Sequence, residues 1–341
     1  LSSVLTPLVE HDRSRFLGGS DAAAVMGLSP WSTPLELWME KTGRARKDPE
    51  DPMRKRVLLR GQKLEPFIRD MTINALRDRG LKVELLACNL RYQDPEHSFL
   101  SCEIDFELKV SGSVEIGDGV VELDGEHINA DAKSVSGFAR KKWGDVDTED
   151  VPIEYAAQFM HGLMVTGRRY CLVAALRSFD DVDIYWTVRD DETIAGMRPK
   201  LVSFWIDHVL ADVPPDPVKF DDIKALFPLD NGLAIEATDD IADKVEQLRQ
   251  VRASLRDYTE AEEALKFDIA EYISPHTRLT LGGKDLMTWK GQNDTRLDQK
   301  LLEQAELYRR TEDGYERIAD PVAAFSRTKV IRVLRFTKGK K

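Results

Sequence analysis

Asp131 and Lys133 stand in HINADAKSV, whose apolar and polar residues alternate as they do on a strand, and Asp105 stands in a second such stretch, CEIDFEL. Residues two apart on a strand point to one face about 6.5–7 Å apart, so a carboxylate at 131 and an ammonium at 133 can flank one reaction centre. Two hard carboxylates from adjacent strands suit Mg²⁺, which takes one or two carboxylates together with waters and substrate phosphate oxygens. Such a metal could activate a water and stabilise charge on a phosphoryl oxygen, while the ammonium orients or deprotonates that water. Asp-x-Lys is common in charged proteins, and a solvated strand pair gives the same pattern. The weight therefore falls on its surroundings.

Glu65, in a helical pattern with Arg60, Gly61 and Gln62, could add a third carboxylate or simply pair with Arg69 one turn on. Tyr155 and Gln158, three apart on another helix, share a face with His161 and Gly162. The Gln158 amide can both donate and accept, and so could hold a lysine or a bound water. Gly18, Gly19 and Ser20 precede a helix expected to begin at Asp21, with Arg13 and Arg15 upstream. Open N–H groups there would suit an anion, and an ordinary Ser N-cap is the alternative.

These groups need a scaffold. Short helices are expected after Ser20 and after Thr33–Pro34, the second stopping at Gly43, and a long one from Lys55 to Gly80 with a kink or break at Pro66. Three alternating stretches then read as a strand meander, followed by a helix from Pro152 to Val165, a hairpin made of YCLVAALRS and VDIYWTVR, and a mostly helical 190–210. This order predicts an α/β (mixed α+β) fold, a central mixed sheet flanked by helices, over 1–210. The proline- and aspartate-rich 211–237 reads as a linker or wrapping segment, and 238–341 as a C-terminal extension. In that extension, 238–273 is a long amphipathic helix that either packs on its own domain or self-associates. A hairpin (RLTLGGKDLMTWKG), a short helix near 297–307 and a strand at 329–336 follow.

The 341 residues, 42% hydrophobic, suffice for a full core. With 49 Lys and Arg against 60 Asp and Glu the formal charge is −11, which excludes a uniformly basic coat, so any polyanion site must be local. Basic residues do cluster: Arg54, Lys55, Arg56, Arg60 and Lys63; Arg140, Lys141 and Lys142, with Trp143 beside them to stack on a base or wedge an end; and a tail from Arg327 to Lys341. Cys88, Cys102 and Cys171 give neither a disulfide framework nor a four-thiolate zinc site, and a reducing cytoplasm is expected. No apolar run reaches the ~18 residues of a membrane span, and the opening lacks a signal peptide's features.

The blocks FLGGSDAAAVMGLSPWSTPLELWMEKTG, RGQKLEPF, SCEID, NADAK and PIEYAAQFMHGLMVTG, in that order over roughly 13–210, resemble the YqaJ-type viral recombinase family, relatives of phage lambda exonuclease among the PD-(D/E)XK nucleases. The resemblance implies a restriction-endonuclease-like core. The implied activity is Mg²⁺-dependent digestion, with Mn²⁺ as a substitute, of one strand of linear duplex DNA from the 5′ end, leaving 3′ single-stranded tails. It implies Asp105, Asp131, the Ala132 backbone carbonyl and Glu65 as metal ligands, Lys133 beside the attacking water, and Gln158 beside the lysine. Arg13 and Ser20, and less closely Arg15, match positions that grip a terminal 5′-phosphate; Arg60, Tyr155, Arg140, Lys141 and Lys142 are further candidates for DNA contact. The family commonly has Glu where this chain has Asp131, and a proline before the strand aspartate where this chain has SCEID. Implied partners are duplex ends, a single-strand annealing protein and further copies of the chain, in the cytoplasm of a bacterial host and without a membrane. A structure-specific endonuclease with the same centre, and a catalytically silent DNA-binding or assembly protein, are the alternatives.

Overall fold

A computed structural model describes residues 4–6, 12–45, 52–135, 140–176, 181–291, 302, 306–311 and 314–325. The chain divides into two compact units, Leu1–Leu226 and Phe227–Lys341.

The alternating stretches of the first unit form a sheet in the order β1 (Val4–Thr6), β2 (Lys82–Gln93), β3 (Ser101–Ile116), β4 (Gly119–Ser134), β5 (Tyr170–Leu176) and β6 (Val182–Val188). Neighbours are antiparallel except β4 and β5, which run parallel because a helix crosses between them. All seven residues of β5, YCLVAAL, are buried, as befits a strand covered on both faces. The meander turns through a bulge at Gly112, whose φ of +125° and 2.8 Å approach of a hypothetical Cβ to the Leu81 side chain leave no room for a larger residue.

Helices cover both faces. On one lie α1 (Gly19–Val25), α2 (Pro34–Lys41), α4 (Ile153–Thr166) and α5 (Asp191–Ser203), the last running into a wider π turn over Phe204–Leu210. They bury Leu35, Trp38, Phe159, Leu163, Leu201 and Phe204. On the other face α3 (Pro52–Asp78) packs Ile68, Ile73 and Leu76 against Phe106, Leu172 and Trp186. The break expected at Pro66 does not occur, and α3 continues through it. A proline removes one bond to the carbonyl a turn earlier, and the apolar face beyond it outweighs that loss. The mixed architecture expected from the sequence is present.

The first unit extends past 210, where the linker was expected to start. α6 (Phe220–Leu226) belongs to it, and fully buried Asp222 accepts from the Thr33 hydroxyl at 2.9 Å and from the amides of Val218 and Lys219. Thr33 is the N-cap of α2 in a reciprocal capping box with Glu36. A polar anchor, which hydrophobic patterning does not register, thus ties this segment down.

The second unit holds α7 (Asp239–Ile273), the hairpin β7 (Arg278–Leu281) and β8 (Lys284–Thr288) turning at Gly282–Gly283, a second hairpin β9 (Tyr308–Thr311) and β10 (Gly314–Arg317) that sequence reading missed, and α8 (Pro321–Phe325). The expected helix near 297–307 (apart from residue 302), the strand at 329–336 and the basic tail lie outside the described residues.

Candidate active site

β3 and β4 are paired up to Phe106 and Ala130. One step further along both strands stand Asp105 and Asp131, where the Asp105 carboxylate accepts from the Ala132 amide at 2.8 Å. Lys133 leaves the same face of β4 and brings its ammonium to 2.5 Å from Asp131 Oδ1. Both side chains of that pair are largely buried, 18% and 12% exposed. α4 lies across them. Gln158 donates to Asp131 Oδ2 at 3.0 Å and accepts a long contact from Lys133 Nζ at 3.4 Å. Tyr155 and Phe159 place their rings 5.3 and 5.5 Å from the ammonium, so the cation is held by π faces as well as by charge.

The electrostatics follow from burial. Burial, and then the charge of Asp131, push the Asp105 carboxyl well above the usual carboxylate range. Burial works against the Lys133 ammonium, but Asp131 and Asp105 outweigh it and raise its pKa above the ordinary lysine value. Lys133 is therefore a fixed cation that can orient or donate a proton; it is not poised as a base. Asp131 Oδ1 is buried, with the Lys133 ammonium 2.5 Å away as its ion-pair partner. Asp105 and Asp131 thus set two buried carboxyl groups against a single ammonium, a hard-oxygen pair of the kind that suits a divalent cation.

Glu65 faces this centre from α3. Burial, and next the charge of Asp131, raise its pKa. Its sequence alternative, Arg69, pairs instead with Asp70 at 2.8 Å. Yet among the described residues no three His, Cys, Asp or Glu side chains converge closely enough to hold a metal. Glu65 stands near enough for its titration to feel Asp131, Lys133 and Glu103. At Ala132, the N–H is the group engaged by Asp105.

The second cluster lies across a cleft of about 400 Å³ whose lining includes Arg13, Ser20, Gln62, Asp105, Asp131 and Gln158. Arg13 donates to Ser20 Oγ at 2.9 Å and reaches Asp21 Oδ1 at 3.4 Å. α1 begins at Gly19, earlier than expected, and its N-cap is Gly18, whose amide is taken by the Asp21 carboxylate at 2.9 Å. The open glycine amide expected at this point is therefore occupied. Lys41, with no side-chain exposure, sits 2.7 Å from Asp21 and donates to the Arg13 carbonyl at 2.8 Å, pinning the loop from beneath. A lysine three residues after Trp38, on the buried face of α2, was the available signal for this role. Arg91, stacked 3.5 Å from the Phe16 ring centroid, is a second cation that sequence reading missed.

The remaining candidates scatter. Arg15 is exposed and pairs with Asp12 at 3.1 Å, away from the cleft lining. Arg60 and Lys141 are exposed, and Lys142 lies 3.6 Å from Glu154. The side chains of Arg140, Arg54 and Lys55 fall outside the described residues. Trp143, expected to stack on DNA, is buried with its ring 5.0 Å from Tyr185 and 5.8 Å from Tyr155; it is packing. Trp31, in contrast, is 63% accessible, with its ring 5.7 Å from that of Tyr155.

No helix among the described residues is long and apolar enough to cross a membrane. Over 299 residues the chain is 25% identical to the uncharacterized protein YqaJ of Bacillus subtilis (strain 168), covering 85% of each. Two crystal structures of an alkaline exonuclease, LHK-Exo, the first described as from Laribacter hongkongensis and the second in complex with dAMP, each align at 17% identity over 59% of this chain and 91% of theirs, with TM-scores of 0.40 and 0.39. Residues 10–169 match the family model of the YqaJ-like viral recombinase domain, a span that holds Arg13, Ser20, Glu65, Asp105, Asp131, Lys133 and Gln158 together. The first unit of this chain therefore holds a region, residues 10–169, that is similar to the YqaJ-like viral recombinase domain.

Proposed function

We propose that the protein is a metal-dependent deoxyribonuclease of the phage recombination type, digesting one strand of linear duplex DNA from its 5′ end and leaving 3′ single-stranded tails. The observation that carries this reading is the meeting of Asp105, Asp131 and Gln158 with Arg13 and Ser20 in the lining of one cleft, with Lys133 held on Asp131 and Gln158. The family match supports it.

In this reading Asp105 and Asp131 hold Mg²⁺, with Mn²⁺ as a substitute. When bound, the metal supplies Lewis-acid stabilisation of charge on the scissile phosphate and lowers the pKa of a water. Lys133, kept protonated by its two carboxylates, orients that water and the phosphate oxygens. Gln158 fixes both Asp131 and Lys133, so neither is free to rotate away. The Tyr155 and Phe159 rings wall the ammonium off from bulk water, which strengthens its field at the phosphate. At the other end of the cleft Arg13 and Ser20 bind the terminal 5′-phosphate, and Trp31 stacks on an exposed base. A chain of formal charge −11 then meets a polyanion through a local cationic end and not through its whole surface. The product tails suit a single-strand annealing protein, and the cytoplasm of a bacterial host is the compartment where such ends arise.

A time course on end-labelled linear duplex, with 5′-phosphate and 5′-hydroxyl termini and a circular duplex as control, tests this. Mg²⁺-dependent release of nucleotides from the phosphorylated 5′ end, sparing circles, is expected. Cutting of circles would make the centre an endonuclease, binding without release would leave a silent DNA-binding protein, and equal rates at both termini would remove the role of Arg13 and Ser20.

A further inference from the structure

α7 is a 35-residue helix whose apolar residues recur with a heptad period. Positions 241, 248, 255, 262 and 269 form one row, Ile, Leu, Leu, Glu and Ile; positions 244, 251, 258, 265 and 272 form the other, Lys, Val, Tyr, Leu and Tyr. Two rows three apart and sustained over this length are the seam of a coiled coil. Ile241, Val251, Leu255, Tyr258 and Leu265 in that seam are between 49% and 74% exposed. The rows are interrupted twice, once by a base and once by an acid. Lys244 and Glu262 hold only exposed pairs within their own helix, to Asp240 at 2.7 Å and Lys266 at 2.8 Å, and such pairs are worth tenths of a kcal/mol.

We propose that α7 pairs antiparallel with α7 of a second copy of this chain, in the register that sets Lys244 of each copy against Glu262 of the other. In antiparallel coils one row faces the other row of the partner. Placing the twofold axis level with Ala253 puts Ile241 against Leu265, Lys244 against Glu262, Leu248 against Tyr258 and Val251 against Leu255. Every layer of the overlap is then apolar or oppositely charged, and the charged layer occurs twice. A parallel pair would instead set lysine against lysine and glutamate against glutamate, and moving the antiparallel register by one heptad would press each charge against an apolar side chain.

Sedimentation velocity on the full chain across a concentration series tests this, with variants K244E and E262K and the double exchange. The wild-type chain is expected to self-associate. Each single exchange puts like charges in both charged layers and should weaken association at least tenfold, and the double exchange should restore it. A chain monomeric at every concentration, single variants that associate like the wild type, or a double variant as weak as the singles would each overturn the proposal. Orientation is read by oxidative cross-linking: Ile241→Cys combined with Leu265→Cys should give a cross-linked dimer, and a dimer from Ile241→Cys alone would show parallel strands and overturn it.

Discussion

Replacing Lys133 by methionine keeps most of the unbranched stem and removes the ammonium. The ammonium lies 2.5 Å from Asp131 in a pair only 18% and 12% exposed, and breaking such a buried pair from one side costs about 3–5 kcal/mol. The lower end applies here. Asp105 already has a raised pKa through burial and the charge of Asp131, so without the lysine the carboxylate pair can share a proton and relieve part of its repulsion. A loss near 3 kcal/mol in a unit of this size lowers Tm by about 6–12 °C. Saturating Mg²⁺ should recover more stability in the variant than in the wild type, because the cation then neutralises carboxylates that no longer have an ammonium. Nucleotide release should fall at least ~100-fold even in saturating metal, since the orienting group is gone. Thermal unfolding with and without Mg²⁺, alongside release from labelled duplex, reads all three quantities. Wild-type Tm and rate in Lys133→Met, or equal Mg²⁺ stabilisation of wild type and Asp131→Asn, would refute the assignment of this centre.

Fully buried His161 sits with Nε2 3.0 Å from the Ser101 carbonyl, and burial lowers its pKa. The unfolded chain takes up its proton near pH 6.5 before the folded chain does, so the contribution of His161 is complete above that pH and is lost as pH falls toward the folded value, at up to about 1.4 kcal/mol per pH unit; urea unfolding of His161→Gln should show a shallower decline between pH 6.5 and 5 than the wild type. At Gly19 an added Cβ would meet Gln158 Cγ at 3.1 Å and its carbonyl at 3.2 Å, so Gly19→Ala should cost about 1–3 kcal/mol and slow nucleotide release, and wild-type values for both would contradict the packing. Trp31→Ala should leave Tm within the small range of surface changes yet weaken binding of duplex ends, measured by titration with labelled DNA, by about 1 kcal/mol or more. Thr33→Val removes the N-cap of α2 and one donor to buried Asp222, which should lower stability by about 2 kcal/mol and speed proteolysis within 211–226.

The strands and most helices of the first unit were legible because their patterning is strong and local. Asp131 and Lys133 could be placed on one face of a strand from period alone, whereas Asp105 standing opposite Asp131 rests on the register between β3 and β4. The legibility ended where a polar contact between distant segments decides the outcome. Thr33 and Asp222 are separated by 189 positions and joined by one hydrogen bond, which no periodicity encodes. Trp143, open from the sequence to stacking or to packing, was left undecided for a related reason. A tryptophan beside three basic residues looks available to DNA, but burial depends on Tyr185 and Tyr155 arriving from other elements. Glu65 is the intermediate case: its face of α3 was correct, while its distance from the aspartates rests on how α3 packs across the sheet.

The contact between α1 and α4 gives the two halves of the cleft a common support. Gln158 leaves so little space beside Gly19 that an added Cβ would come within 3.1 Å of its Cγ and 3.2 Å of its carbonyl, and its amide reaches Asp131 and Lys133. Arg13 and Ser20, which in the proposed reading hold the terminal phosphate, are fastened to α1 by Asp21 and Lys41. α1 and α4 are packed neighbours, so a shift of α1 toward α4 presses on Gln158. On this geometry seating a phosphate against Arg13 and aligning Lys133 are coupled through one side chain. Gln158→Glu probes the coupling: it keeps the contact with Gly19 but sets a carboxylate against Asp131. Phosphate-end preference should then survive while nucleotide release collapses, whereas Gly19→Ala should degrade both together; the same pattern from the two variants would show that the cleft does not work as two coupled ends.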